Sequence, residues 1–174
     1  MKKILLLMAI VAVCFGANAQ DKKWNVTVGG GLTFPTGDAS DGYKSGFVGQ
    51  LQGTYNINPK FELGLEYAYS TFKGKSGSET IMGITTSYDI DDRIINSFLA
   101  KGIYNFTEEG VRPFIGAGVG TFSHKDNDTK FGYAVEGGIK YNGFLFGASY
   151  RGAGSFDDVT FNFFQLNVGY TFRF

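Results

Sequence analysis

The sequence predicts an all-β protein, an eight-stranded antiparallel up-and-down transmembrane β-barrel, from three observations. Apolar and polar residues alternate at period two along almost the whole chain after residue 20, as in strands with one apolar and one polar face. Aromatic residues make up 17% of the chain, and 26 glycines stand against 3 prolines, a composition that favours strands and tight turns. No stretch after residue 20 is a continuous apolar run long enough for a membrane-spanning helix.

The first nineteen residues have the layout of a secretory signal peptide. Lys2 and Lys3 precede an apolar run over residues 4–15 and the small-x-small sequence Ala17-Asn18-Ala19. We therefore expect residues 1–19 to be cleaved, leaving residues 20–174 as one barrel domain. The apolar run is shorter than the roughly 20 residues of a spanning helix, which disfavours a membrane anchor.

Cleavage would also remove Cys14, the only cysteine in the sequence. The mature chain would then have no thiol, disulfide or cysteine-based metal site. A lipoprotein cleaved before Cys14 is the alternative, but Val13 is a poor small residue for that cut. Loss of the two lysines changes 16 basic and 16 acidic residues into 14 and 16, a net charge of about −2. This charge argues against nucleic acid as a partner.

The first three predicted strands alternate most clearly and cover residues 24–34, 46–57 and 61–72. Their apolar faces carry Trp24, Val26, Val28, Leu32 and Phe34, then Phe47, Leu51, Tyr55 and Ile57, and then Phe61, Leu63, Leu65, Tyr67 and Tyr69. In the third strand the polar face carries Glu62 and Glu66. A one-residue slip in register would therefore exchange leucine for glutamate.

Strands four to eight follow with less regular patterns. The fourth, residues 94–106, is ambiguous because three aliphatic residues share a parity with Lys101. We assign the other parity to the apolar face: Phe98, Ala100, Tyr104 and Phe106. Strands five to seven cover about residues 111–122, 131–142 and 144–152, and strand eight begins near residue 159. Eight strands of about ten residues suit a small closed barrel.

The connections between these strands alternate in length. Short links lie at residues 58–60, 107–110 and 142–143, and Asn142-Gly143 is a strong two-residue hairpin signal. Longer polar links lie at residues 35–45, 73–91, 123–130 and 152–158. In bacterial outer-membrane barrels the short turns are periplasmic and the long loops are extracellular.

The apolar face could point inward, as in a soluble sandwich or lipocalin-like barrel, or outward into lipid. The polar face is rich in Gln, Asn and Gly, which favours lipid outside. Aromatic residues lie near the strand ends, where a membrane barrel has its aromatic girdle. The predicted girdle consists of Trp24, Phe34, Tyr55, Phe61, Tyr141, Phe144 and Tyr170.

The last strand ends in NVGYTFRF, and its pattern resembles the C-terminal assembly signal of small eight-stranded outer-membrane barrels of Gram-negative bacteria. Asn167, Gly169, Phe172 and Phe174 fill the places of that signal. The chain as a whole resembles the OmpX-like and OmpA-transmembrane-like group, which often carries a porin-family label. The resemblance implies an integral protein of the cell outer membrane whose last strand is recognised by the barrel-assembly machinery.

Charged residues on the polar faces would then lie inside the barrel, because a Lys or Arg facing lipid at the midplane costs about 2–4 kcal/mol. This set is Glu62, Glu66, Lys101, Arg112, Glu136, Lys140, Arg151 and Arg173. We expect Lys101 to bridge Glu66 and Glu136 near mid-barrel, with Arg112, Lys140 and Glu62 in a lower layer. Arg173 is expected in the interior or in the water at the rim. Paired carboxylates can do acid–base chemistry, but side chains fill so narrow a barrel, which favours a polar plug.

Three functions are compatible with this pattern. The favoured one is a non-enzymatic structural and surface-interaction barrel, surrounded by outer-membrane lipid and lipopolysaccharide, whose long extracellular loops make contacts. Loop 73–91 is its candidate site for an extracellular protein, and a solvated extension without a partner is the alternative for that loop. In that loop Met82, Ile84, Thr86, Tyr88 and Ile90 continue the alternation, and a protruding sheet with an open edge is a ready partner site. A narrow channel for small ions or solutes is the alternative.

The third function is a lipid A-modifying enzyme, since some such barrels use a His and a Ser. The only histidine, His124, adjoins Ser123 in a polar link, and adjacent strand residues point to opposite faces. The acidic segments DASD, DIDD and KDND do not match the spacing of a calcium loop. The sequence therefore predicts no catalytic, cofactor-binding or metal-binding residue.

Overall fold

The computed structural model describes residues 23–81, 84–124, 129–156 and 159–174, and the elements follow each other with short connections. They are β1 (Trp24–Thr36), the four-residue helix α1 (Ala39–Gly42), β2 (Tyr43–Lys44), β3 (Gly46–Asn56), β4 (Phe61–Gly74), β5 (Ser76–Ile81), β6 (Ile84–Asp89), β7 (Arg93–Asn105), β8 (Arg112–His124), β9 (Thr129–Tyr141), β10 (Phe144–Phe156) and β11 (Val159–Arg173). None of the helical residues described here forms a helix long and apolar enough to span a membrane.

Eight of these strands close into an antiparallel barrel in the order β1, β3, β4, β7, β8, β9, β10 and β11. The ring is closed by β1 and β11, which pair from Asn25↔Arg173 to Thr36↔Asn162. The short strand β2 adds to one end of β4. The predicted fold class is confirmed, and each of the eight predicted strands is present.

The side chains alternate between the two faces of the barrel as predicted. The ambiguous fourth strand, β7, settles on the assigned parity: Lys101 is buried, whereas Phe98 and Tyr104 are exposed. Apolar residues thus cover the outside, and polar residues dominate the inward rows of β1, β3 and β4. A sheet closed on itself leaves no unpaired strand edge within the barrel wall.

The barrel has a turn end, where residues 57–60, 106–111 and 142–143 connect the strands, and a loop end opposite. Asn142 and Gly143 have φ values of 47° and 85°, which a two-residue type I′ hairpin turn requires. In the first turn the Asn58 side chain accepts hydrogen bonds from the N–H groups of Lys60 and Phe61 at 2.9 and 2.8 Å. The short links therefore follow from local turn chemistry.

The long links contain more regular structure than the sequence indicated. The prediction of a loop at residues 152–158 is wrong for residues 152–156. In the structure β10 continues to Phe156, with an irregularity between Gly152 and Ser155. The link at 35–45 contains α1 and β2. In the link at 73–91, β5 and β6 pair from Ser76↔Asp89 to Ile81↔Ile84 and continue the β4–β7 hairpin. Met82 and the KDND segment lie outside the described residues.

The interior at the loop end is apolar, so the expectation of a polar interior throughout is wrong there. The fully buried members of this aromatic cluster are Phe72, Phe122, Phe161, Phe163, Ile95 and Leu99, with Ala39 of α1 and Ala134 and Ala153 beside them. Edge-to-face contacts join Phe72 to Phe161 and Phe163 at ring-centroid distances of 4.9 and 5.1 Å. The barrel residues of this cluster come from six of the eight strands, β4 and β7 to β11, and pack against one another in the interior.

Residues 37–45 fold over the aromatic cluster and form a cap. Tyr43 packs edge-to-face on Phe161 with a ring-centroid distance of 5.4 Å. The Arg93 guanidinium carbon lies 5.2 Å from the Tyr43 ring centre and 5.6 Å from that of Phe161. On the outer side, Lys75 Nζ donates a 2.6 Å hydrogen bond to the Ser40 carbonyl. The cap is thus held by packing and by hydrogen bonds to the start of the β5–β6 hairpin.

Candidate functional site

The middle of the barrel holds a charge cluster built from four strands. Lys101 Nζ lies 2.7 Å from Glu66 Oε2 and 2.5 Å from Glu136 Oε2, the bridge that the sequence predicts. Arg151 Nη2 lies 2.7 Å from Glu66 Oε1. Two cations face two carboxylates, and all four side chains are buried or nearly so. Charges removed from water in this way are tolerated because each is paired.

Glycines on neighbouring strands make room for this cluster. Lys101 pairs with Gly64 on one side and with Gly118 on the other. A Cβ atom on Gly118 would lie 2.8 Å from Lys101 Cγ, and one on Gly116 would lie 2.9 Å from Glu136 Oε1. The inward glycines of β8 therefore leave the space that the long charged side chains occupy.

Amide and hydroxyl side chains surround the cluster. Gln165 Nε2 donates a 3.0 Å hydrogen bond to Gln50 Oε1 over β1, the strand that lies between β11 and β3. Arg151 Nη1 donates to Ser97 Oγ at 3.3 Å, and Lys101 Nζ approaches Gln52 Oε1 at 3.4 Å. These contacts join side chains of strands that are not direct neighbours in the wall, and they lie in the polar part of the interior.

A second charged layer lies toward the turn end and is centred on Glu62. Its Oε1 accepts from Lys140 Nζ and Asn105 Nδ2, each at 2.8 Å, and its Oε2 accepts from Thr54 Oγ1 at 2.9 Å. Arg112 Nη2 is farther away, at 3.6 Å from Glu62 Oε1. This is the lower layer that the sequence predicts, with Lys140 as its close ion-pair partner.

Arg173 shares the inward-facing parity of β11 with Asn167 and Gly169, but it lies at the rim of the barrel. It pairs with the buried Asn25, and its own side chain is exposed to solvent. Of the eight charges expected inside, the structure therefore brings seven into the two layers. Arg173 takes the rim position that the sequence analysis gave as the alternative.

The predicted girdle residues lie at both ends of the outer surface. At the turn end Trp24 packs against Tyr55 and Phe144 against Tyr170, with ring centroids 5.1 and 5.2 Å apart. Tyr141 pairs with Phe144, and Phe61 pairs with Tyr104. Phe34 is at the loop end, half-buried opposite Phe164. Of the proposed assembly-signal residues, Phe172 lies on the outer face and Asn167 and Gly169 lie on the inner face.

Ser123 and His124 are the last residues of β8 and not part of a loop, which corrects that expectation. Ser123 Oγ is 3.0 Å from Thr129 Oγ1, and His124 Nδ1 is 2.8 Å from the Ile94 carbonyl oxygen. As neighbours on a strand they point to opposite faces. Their placement does not form a serine–histidine pair.

The aromatic cluster is the feature of the interior that the sequence analysis did not predict. Phe72 shares a parity with Glu62 and Glu66, and Phe161 and Phe163 share one with Asn167, so the alternation already assigned all three to the interior. The inward-facing parity was applied to the charged residues only, although it also applies to the aromatic residues at the loop end of β4 and β11.

The family comparison agrees with this architecture. Residues 5–172 match the outer membrane protein beta-barrel domain. The chain belongs to that family. Membership of the outer membrane protein beta-barrel domain family places the chain in the outer membrane as an integral protein. No curated protein matches the chain.

Solved structures with the same fold are also outer-membrane barrels. Neisserial surface protein A (NspA) is 20% identical, with a TM-score of 0.66 over 90% of this chain and 100% of that one. The N-terminal barrel of Pseudomonas aeruginosa OprF is 17% identical, with a TM-score of 0.51 over 87% and 98%. Yersinia pestis Ail in a nanodisc is 20% identical, with a TM-score of 0.53 over 87% and 100%. At these identities the likeness concerns the fold.

Proposed function

We propose that this outer membrane beta-barrel is a non-enzymatic surface protein that contacts an extracellular protein through the β5–β6 hairpin. The observation that carries the proposal is the combination of a filled interior with a hairpin that extends one pair of barrel strands. The proposal takes the loop end as extracellular and the turn end as periplasmic, because short turns are periplasmic in barrels of this class.

The interior supports a structural role over transport. An eight-stranded barrel is just wide enough for its own side chains. Here two layers of paired charges and the aromatic cluster follow each other along the axis. A narrow channel remains the second candidate because amide and charged side chains line the middle of the barrel. The path of such a channel would have to pass Phe72, Phe161 and Phe163.

The hairpin supports a contact role. Within the described residues β5 and β6 pair only with each other, so the outer edge of each strand has free backbone N–H and C=O groups. Such an edge can accept a strand from another protein. In the proposed orientation the hairpin stands beyond the lipopolysaccharide-bearing surface, and the girdle residues contact lipid below it.

The assembly signal belongs to the same proposal. Phe172 and Phe174 would present aromatic side chains to the barrel-assembly machinery, with Asn167 and Gly169 on the opposite face of β11. Because β11 closes the barrel by pairing with β1, the strand that the machinery would recognise is also the strand that completes the barrel.

Two measurements test the proposal. The refolded chain in a planar lipid bilayer should give no resolved single-channel current. Stable ion-selective current steps would instead support the narrow channel as the function. Cells that display a variant with residues 76–89 replaced by Asn-Gly should adhere less to surfaces coated with serum proteins than cells that display the unaltered chain. Equal adhesion at equal surface amounts would contradict a contact role for the hairpin.

A further inference from the structure

The two charged layers of the interior differ in their balance of charge. The mid-barrel cluster has two cations and two carboxylates, joined by contacts of 2.5–2.7 Å. At the turn end Arg112 and Lys140 share the carboxylate of Glu62, and Arg173 is exposed at the rim. Lys140 takes the close position at 2.8 Å, and its ammonium group also lies 5.1 Å from the centre of the Phe114 ring. This layer therefore has two cations for one carboxylate, and Arg173 adds a positive charge at the same mouth.

Arg112 has donors that no acceptor in the described structure uses. Its Nη2 donates a 3.3 Å hydrogen bond to the Pro59 carbonyl, and the same atom is 3.6 Å from Glu62 Oε1. Its Nε is buried and has no hydrogen-bond partner among the described residues, although the side chain is only 11% exposed. A buried donor left without a partner indicates a bound water or ion, since such groups are otherwise satisfied.

Arg173 lies on the other wall of the same mouth. Arg112 is the first residue of β8, and Arg173 is the last residue of β11, so both are at the turn end of inward-facing rows. The repulsion between two guanidinium groups at one mouth of a narrow barrel decreases when an anion lies between them.

We propose that the turn end of the barrel interior is a binding site for an oxoanion, a phosphate or a carboxylate group, held by Arg112 and Arg173. Guanidinium groups bind both anions through parallel N–H···O bonds, and the unused Nε of Arg112 supplies such a donor. Lys140 neutralises Glu62, and Asn105 donates a hydrogen bond to the same carboxylate. The Glu108 and Glu109 side chains in the β7–β8 turn are exposed to solvent. The site is independent of the β5–β6 hairpin, which is at the other end of the barrel.

The test is an anion titration of the refolded chain in detergent micelles, in a buffer free of phosphate and carboxylate. The nitrogen chemical shifts of Arg112 Nε and Arg173 Nε are followed while inorganic phosphate is added, and in a second series while acetate is added, so that each arginine variant is monitored at the other arginine. Arg173→Gln changes an exposed rim residue and should leave the fold intact, whereas Arg112→Gln removes the central donor. Lys60→Gln is the matched control, because it removes one exposed positive charge at the same end of the barrel.

We expect a saturable shift and at least about tenfold weaker binding in Arg112→Gln and Arg173→Gln. Lys60→Gln should bind within about twofold of the unaltered chain. Saturation by phosphate alone assigns the site to phosphate groups, and saturation by both anions assigns it to oxoanions in general. No saturable shift with either anion overturns the proposal, as does an equal loss in Lys60→Gln. If Arg112→Gln does not fold, the comparison of Arg173→Gln with Lys60→Gln decides.

Discussion

Replacing Lys101 by methionine should strongly destabilise the barrel, because it removes the cation that two buried carboxylates share. In the variant Glu66 keeps Arg151 at 2.7 Å, but Glu136 loses the ammonium group 2.5 Å away. The cluster changes from two cations and two anions to one cation and two anions. Breaking a buried ion pair on one side costs about 3–5 kcal/mol, since the remaining charge is left uncompensated.

The double variant Lys101→Met/Glu136→Gln separates lost charge pairing from lost packing. It leaves Arg151 and Glu66 as a balanced pair and replaces Glu136 by a neutral group of the same shape. We expect it to recover most of the loss and to lie within about 2 kcal/mol of the unaltered chain. Lys60→Met, which changes an exposed lysine in the first turn, is the control and should unfold like the unaltered chain.

The measurement is urea unfolding in lipid vesicles, followed by the fluorescence of Trp24, the only tryptophan, which lies on the outer surface at the turn end. With a slope of about 2 kcal/mol per molar urea, a loss of about 4 kcal/mol lowers the midpoint by about 2 M. The reasoning is refuted if Lys101→Met unfolds within about 1 kcal/mol of the unaltered chain, or if the double variant is no more stable than the single one.

Three further variants test other features. Gly118→Ala should cost about 1–3 kcal/mol because its Cβ would press on Lys101, whereas Gly49→Ala meets nothing within 4 Å and should cost little by the same urea assay. Phe161→Ala should lose about 3–5 kcal/mol and raise single-channel current by opening the aromatic cluster; unchanged current would show that the rings do not close the path. Phe174→Ser should reduce the amount of folded protein in the outer membrane of cells while leaving refolding in detergent unchanged, and equal slowing of both would contradict an assembly signal.

Most of the fold could be predicted from the alternation of apolar and polar side chains. In β4 leucines and glutamates occupy opposite parities, so only one register keeps the charges out of lipid, and this determined the position of Glu66. The same argument assigned Lys101 to the interior of β7 even though aliphatic residues share its parity. The bridge to Glu136 then followed from counting residues from the short turns, whose Asn-Gly signal fixes the hairpin.

Other features depend on contacts that no local pattern contains. The parity of Phe161 shows its face but not that Phe72 comes from the other side of the barrel to meet it. The burial of Ala39 depends on residues 37–45 folding back over that pair, and polar sequence alone indicates a solvated loop. β10 continues past Gly152 because β11 offers partners at Thr160 and Val159. The long distance from Arg112 to Glu62, 3.6 Å, could not be predicted because it depends on Lys140 taking the closer position, at 2.8 Å.

The pairing of β1 with β11 also constrains the time at which the barrel can form. Val26 and Phe172 are neighbours in the wall, yet almost the whole chain separates them in sequence. Until β11 arrives, β1 has an unpaired edge, and backbone groups without partners are costly in lipid. A partly synthesised chain is therefore not a smaller stable barrel but a sheet with two open edges, which must be shielded from other chains. Insertion and closure are expected to occur late and together, as one step that the final strand completes.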